Sequence, residues 1–159
     1  MISGSGLILG NCSKREDLPI PNVTLSTPLP VSAKQVWDLI GSFNALPNWH
    51  PIVERSEVEE DKPTRTTTRT LHLVGGGTVV EKLTAMDDDE KVYSYEILES
   101  PLPVKGYKAT LRVHEDGTGS KVEWSSDFEA VGASNDDAVK AIQDIYDAGF
   151  ENLKKIFGG

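Results

Sequence analysis

The chain reads as an α+β protein in which a curved antiparallel sheet of about seven strands wraps a long C-terminal helix, with one or two short helices after the first strand. Three observations predict this. From Asn135 to Phe157, the residues Ala138, Ala141, Ile142, Ile145, Ala148, Gly149, Leu153 and Ile156 recur at three- and four-residue steps on one stripe, the mark of an amphipathic helix. The preceding hundred or so residues alternate apolar and polar positions between strong turn signals, as antiparallel strands do. A helix of that length spans roughly 35 Å at about 1.5 Å per residue, and a stripe so long needs a broad concave partner to bury it.

Each element has its own signal. Val23, Leu25 and Thr27 alternate through the first strand, which the prolines at 28 and 30 close. Ser32 and Gln35 form a capping box, with Val31 and Val36 placed as its hydrophobic staple, so a helix is expected over 33–41. The segment 43–51 is broken by proline and reads as a helical turn leading into Trp49-His50-Pro51. Strands follow at 52–59, 64–74, 78–87, 91–99, 106–115 and 121–130, and their short connections make successive strands antiparallel neighbours. Ser134 with Asp137 starts the last helix, Lys154 and Lys155 sit near its negative end, and Gly158 stops it. Gly149, in mid-helix, costs up to about 1 kcal/mol against alanine; either a close approach or a gap over a cavity accounts for it, and simple tolerance fits equally.

Bulk composition narrows the function. At 159 residues, 38% hydrophobic and 26% charged, the chain fits one soluble domain with a sizeable core, taken as 22–159 behind a glycine-rich flexible tail over 1–21. A net charge of -9 argues against a nucleic-acid groove or an anionic membrane surface, both of which need clustered Lys and Arg. No apolar run is long enough to insert in a membrane, and the lone Cys12 fits a reducing, cytoplasmic setting. No two histidines have a ligand spacing and no phosphate or dinucleotide loop is present, so neither a metal nor another cofactor is expected.

The candidate site lies where the dry face of the sheet carries polar residues. The parity of Leu71 and Leu73 puts Arg69 on the inner face, and that of Leu83 and Ala85 puts Glu81 there too. A symmetric three-residue turn at Gly75-Gly76-Gly77 makes Leu71 face Glu81 and leaves Arg69 as the diagonal neighbour, about 7–8 Å away at the backbone. A buried ion pair rarely adds stability over apolar packing, so its presence hints at function; a structural salt bridge, or a one-residue slip at the glycine turn, fits the same pattern. Tyr93, Tyr95, Tyr107 and Trp124 share the inner face with polar tips to offer a ligand, although each also suits plain core filling. Trp49 and His50 are placed to close one end of the cavity, whereas His72 and His114 have outer-face parity.

Val36-Trp37, Trp49-His50-Pro51, Arg69-Thr-Leu71, Gly76-Gly-Thr-Val-Val-Glu81-Lys-Leu83, Tyr93-Ser-Tyr95, Pro101-Leu-Pro103, Tyr107 and Val122-Glu-Trp124 together resemble the polyketide cyclase/dehydrase-like group of the START-related (SRPBCC) superfamily, over residues 22–157. The resemblance implies a helix-grip fold with a cavity between sheet and C-terminal helix, and a small hydrophobic or amphipathic partner molecule. The chain is also distantly similar to proteins of the lachrymatory-factor-synthase type, in which an arginine and a glutamate move a proton on a small sulfenic acid. Arg69 and Glu81 hold the matching positions, with Tyr107 and Trp124 on matching cavity positions; the loops differ, so the substrate does not carry over. The resemblance implies lyase- or isomerase-type chemistry in which Arg69 neutralises a ligand oxygen, Glu81 acts as general acid/base, and Tyr95 or Tyr107 orients the ligand. The alternative is a non-catalytic carrier or sensor that uses the same residues as anchors.

Overall fold

The capping signals in the sequence act as written. In the computed structural model, which describes residues 20–158, the Ser32 hydroxyl accepts the Gln35 N–H at 3.2 Å and starts helix α1 (Ala33–Ile40). Ser134 does the same for Asp137 at 3.1 Å at the start of α3 (Asn135–Phe157). Gly158, at φ 79°, closes α3 by returning its N–H to the Lys154 carbonyl at 2.8 Å. Pro47 opens the short α2 (Leu46–Trp49), and Pro51 pushes His50 into extended backbone, which ends that helix.

Strand β1 (Asn22–Leu29) precedes α1; β2 (Val53–Asp61), β3 (Thr66–Leu73), β4 (Thr78–Asp87), β5 (Val92–Glu99), β6 (Val104–Asp116) and β7 (Gly119–Ala130) lie between α2 and α3. They form one seven-stranded antiparallel sheet in the order β1-β7-β6-β5-β4-β3-β2. Register breaks between Val53 and Arg55, Val80 and Glu81, Leu83 and Ala85, and Lys105 and Lys108 bend the sheet around α3. The inner face carries Val79, Tyr95, Leu111, Val122 and Phe128, and α3 covers it with Ala138, Ile142, Tyr146, Phe150 and Leu153, all buried. Trp37 Nε1 donates to Asp88 Oδ1 at 3.0 Å, pinning α1 to the β4–β5 turn. Among the described residues no helix is long and apolar enough to cross a membrane.

Three details depart from the sequence reading. The glycine hairpin turns one residue earlier than the symmetric turn at 75–77, which shifts the pairing by two: Leu73 N–H bonds Gly77 O, and Arg69 pairs directly with Glu81. A shift of two keeps both side chains on the inner face and brings them together. The bulge after Leu83 flips the strand's parity, so Ala85 is exposed rather than buried. On α3 the buried stripe runs through Tyr146 and Phe150, while Ile156 is 46% exposed. The tail expected over 1–21 falls outside the described residues except for Ile20 and Pro21. Gly149 is explained by close approach: an added Cβ would lie 2.9 Å from both His50 Cδ2 and Trp49 Cζ3.

Candidate functional site

A cavity of about 200 Å³ lies between the sheet and α3. Its walls are mostly aliphatic, with Leu46, Val53, Leu71, Leu73, Val79, Ile97, Leu102, Ile142 and Ile145 facing inward. Five polar-tipped side chains interrupt them: Glu81 from β4, Tyr95 from β5, Tyr107 from β6, Tyr146 from α3, and His50 from the turn after α2; Trp124 of β7 completes the wall. Such a site suits a small, mainly apolar molecule with few polar groups.

Behind Glu81 sits Arg69, with no exposed surface. Its Nε donates to Glu81 Oε1 at 2.7 Å, and its Nη2 lies 2.7 Å from the same oxygen, in ionic contact but off the hydrogen-bond axis. Nη1 donates to the Phe43 carbonyl at 2.7 Å and to Tyr93 Oη at 3.3 Å. The guanidinium is sandwiched by the Phe43 ring at 4.0 Å and the Tyr95 ring at 4.9 Å. The residues around the cavity therefore include Glu81 but not Arg69. The sequence reading has Arg69 facing a ligand oxygen directly; in this structure the guanidinium is packed among Glu81, Phe43, Tyr93 and Tyr95.

This division sets the electrostatics. Both arginine contacts converge on Oε1, so Oε2 of Glu81 is the oxygen left for the cavity. Burial pushes the Glu81 carboxyl above its ordinary range, and Arg69 limits the rise. Burial also works against the charge on Arg69, but Tyr93, Glu81 and Tyr95 outweigh it and hold the guanidinium ionised.

The phenols that line the cavity form a chain. Trp124 Nε1 donates to Tyr95 Oη at 3.0 Å, Tyr95 Oη lies 3.5 Å from Tyr107 Oη, and Tyr107 meets Tyr146 through a short hydroxyl contact. Burial raises the pKa of all three tyrosines, so all are protonated. Three O–H hydrogens serve the two hydroxyl contacts, which leaves one over, and Ser126 is a further hydrogen-bond neighbour of Tyr146. Trp124 stacks on Tyr146 at 4.2 Å and 12°, fixing the α3 end of the chain against the sheet.

His50 is 2% exposed, and both of its ring nitrogens are in use: Nε2–H donates to the Ile145 carbonyl at 2.8 Å, and Nδ1 accepts the Ile52 N–H at 3.2 Å. That pattern requires the neutral Nε2–H tautomer, and burial lowers its pKa accordingly. Trp49 is fully buried and packs behind the wall, 5.5 Å from Trp124 and 5.8 Å from His50, so it supports the lining rather than forming it. Its position, one residue before His50 at the end of α2, turns it to the far side. His72 and His114 lie on the outer face, bonded to Glu57 and Glu123. Sequence reasoning missed Tyr146, Phe150 and the Phe43 clamp. Tyr146 and Phe150 follow Ile142 at four-residue steps, a signal present in the helix stripe; Phe43 meets Arg69 only through tertiary folding.

Comparison with known proteins agrees with this architecture. Residues 21–158 match the family model described as polyketide cyclase/dehydrase and lipid transport. The fold is similar to an uncharacterised protein from Bacillus thuringiensis, with 35% identity, a TM-score of 0.80, and 87% of this chain and 99% of that one covered. It is similar to the protein XoxI from Bacillus cereus, with 34% identity, a TM-score of 0.79, and 87% and 96% covered. A START superfamily protein from Mycobacterium smegmatis shares the fold alone, at 11% identity and a TM-score of 0.72, with 86% and 97% covered. No curated protein matches the sequence. A helix-grip sheet closed over α3, with the family model matched along nearly all of the described chain, settles the assignment: the chain belongs to the polyketide cyclase/dehydrase and lipid transport family.

Proposed function

We propose that the protein takes a small, partly apolar molecule with one polar oxygen into this cavity and moves a proton on it without a cofactor, as a cyclisation, dehydration or isomerisation requires. The observation that carries the reading is Glu81: a carboxylate on an otherwise apolar wall, one oxygen held by a sealed arginine and the other left for the ligand. A buried carboxylate with a raised pKa is a stronger base than one in water, and the arginine keeps it ionised until it takes the proton. Arg69 is then a positioning residue. The spare phenol hydrogen of the Tyr95, Tyr107 and Tyr146 chain donates to the ligand oxygen on which negative charge grows. His50, neutral and doubly bonded, shapes the wall.

The lipid-transport half of the family description favours a second reading, a carrier in which Glu81 and the phenols anchor the ligand without turnover. Glu81→Gln separates the two, because it keeps the shape and removes the base. Binding and turnover are measured over a panel of small polyketide-like, phenolic and short-chain acidic molecules, using Trp124 fluorescence for occupancy. An enzyme loses turnover by about 100-fold or more with affinity within a few-fold; a carrier shows no turnover in the wild type and binds in both forms. Absence of saturable binding in the wild type rejects both.

A further inference from the structure

The charge balance of the cavity points to the kind of molecule it accepts. Among the described residues that line it, Glu81 is the one ionised side chain: the phenols are protonated and His50 is neutral. No lysine or arginine is among the described lining residues. Glu81 is already compensated from behind, because Arg69 holds its Oε1 at 2.7 Å. The pair therefore sums to zero before any ligand enters.

An ion of either sign breaks that balance. A cavity of about 200 Å³ is roughly 7 Å across, so any charge inside it lies close to the Glu81 carboxylate with little water between. An anion meets that carboxylate directly, and the cation that could attract it stands on the far side of Glu81. A carboxylate among aromatic rings ordinarily suits an ammonium group, but Arg69 itself fills that place, with Cζ 4.0 Å from the Phe43 ring and 4.9 Å from the Tyr95 ring. A second cation would gain only the difference between attraction to Glu81 and repulsion from Arg69, against the full cost of leaving water. Proton transfer obeys the same constraint: when a neutral ligand gives its proton to Glu81, the ligand anion, the neutral carboxyl and the Arg69 guanidinium still sum to zero. Size is limited as well, since at the packing density of a protein interior a heavy atom with its hydrogens takes about 20 Å³.

We propose that the site selects uncharged molecules of about ten heavy atoms and rejects organic acids and amines of the same size in their ionised forms. The inference rests on the cavity being a ligand site, and it names the class of ligand taken there.

Benzamide, benzoate and benzamidinium share one shape and size but differ in charge. They are titrated at pH 7 into ¹⁵N-labelled protein, following the indole N–H of Trp124 in the cavity wall, with the Trp37 indole, bonded to Asp88, as the reference outside it. Benzamide should shift Trp124 and saturate, with benzoate and benzamidinium about tenfold or more weaker. Glu81→Gln removes the negative partner and leaves Arg69 uncompensated, so in that variant benzoate should gain about tenfold or more relative to benzamide. Thermal unfolding shows whether the variant is folded; if it is not, the wild-type series decides alone. Benzoate or benzamidinium matching or exceeding benzamide in the wild type, or a folded Glu81→Gln in which benzoate gains nothing, overturns the charge selection and leaves the cavity reading in place. If no probe moves the Trp124 indole, the cavity reading falls and this inference with it.

Discussion

Arg69→Met removes the cation from a pair in which Arg69 is fully buried and the Glu81 side chain is 7% exposed. Glu81 then has two choices: stay charged without a partner, which costs on the order of 3–5 kcal/mol, or take up a proton. Protonation sets the ceiling. Its ordinary pKa is 4.5, so at about 1.36 kcal/mol per unit the neutral form costs about 3.4 kcal/mol at pH 7 and about 0.7 kcal/mol at pH 5. The sign follows from linkage: a carboxyl whose folded pKa is raised binds more protons when folded, so its contribution to stability falls as pH rises above 4.5. The variant also loses the bonds to the Phe43 carbonyl and Tyr93, a cost of about 1–3 kcal/mol that does not vary with pH. The assay is urea unfolding of wild type and variant at pH 5 and pH 7. The destabilisation by Arg69→Met should shrink by up to about 2.7 kcal/mol on going from pH 7 to pH 5. The double variant Arg69→Met/Glu81→Leu should lose that pH dependence. An Arg69→Met penalty equal at the two pH values would refute the argument, because it would mean that the Glu81 charge is solvated without the arginine.

Gly149→Ala should destabilise by about 1–2 kcal/mol in urea unfolding, because a Cβ 2.9 Å from two buried rings outweighs the gain of about 1 kcal/mol in helix propensity; an equally stable or more stable variant contradicts the close packing of α3 on His50 and Trp49. His50, with its lowered pKa, contributes stability that is present above pH 6.5 and lost as pH falls below it toward the folded-state pKa, since protonated Nδ1–H would face the Ile52 N–H. The stability gap between wild type and His50→Gln should therefore narrow between pH 7 and pH 5.5, and a constant gap removes His50 from the acid response. Tyr146→Phe leaves Tyr107 without its short hydroxyl partner and should cost about 1–3 kcal/mol, measured by thermal or urea unfolding; a change below about 0.5 kcal/mol would show the phenol chain to be slack.

Local chemistry is legible from the chain because it is set by residues a few positions apart. Ser32 and Ser134 cap, Gly158 ends α3, the strand punctuation falls within about two residues of the observed bounds, and inner-face parity alone placed Arg69, Glu81, Tyr95, Tyr107 and Trp124 on one surface. Other features depend on the backbone in three dimensions. The two-residue shift in pairing at the glycine hairpin made Arg69 and Glu81 direct partners, and the bulge after Leu83 exposed Ala85. Period-two patterns fix a face but leave register free in steps of two, and they carry no mark of a bulge. Arg69 lies outside the cavity lining because Phe43, from the segment after α1, and Tyr93 and Tyr95, both from β5, close over the guanidinium. Sequence determined which polar groups enter the core; only the folded chain decided which of them a ligand can reach, because access depends on what distant segments cover.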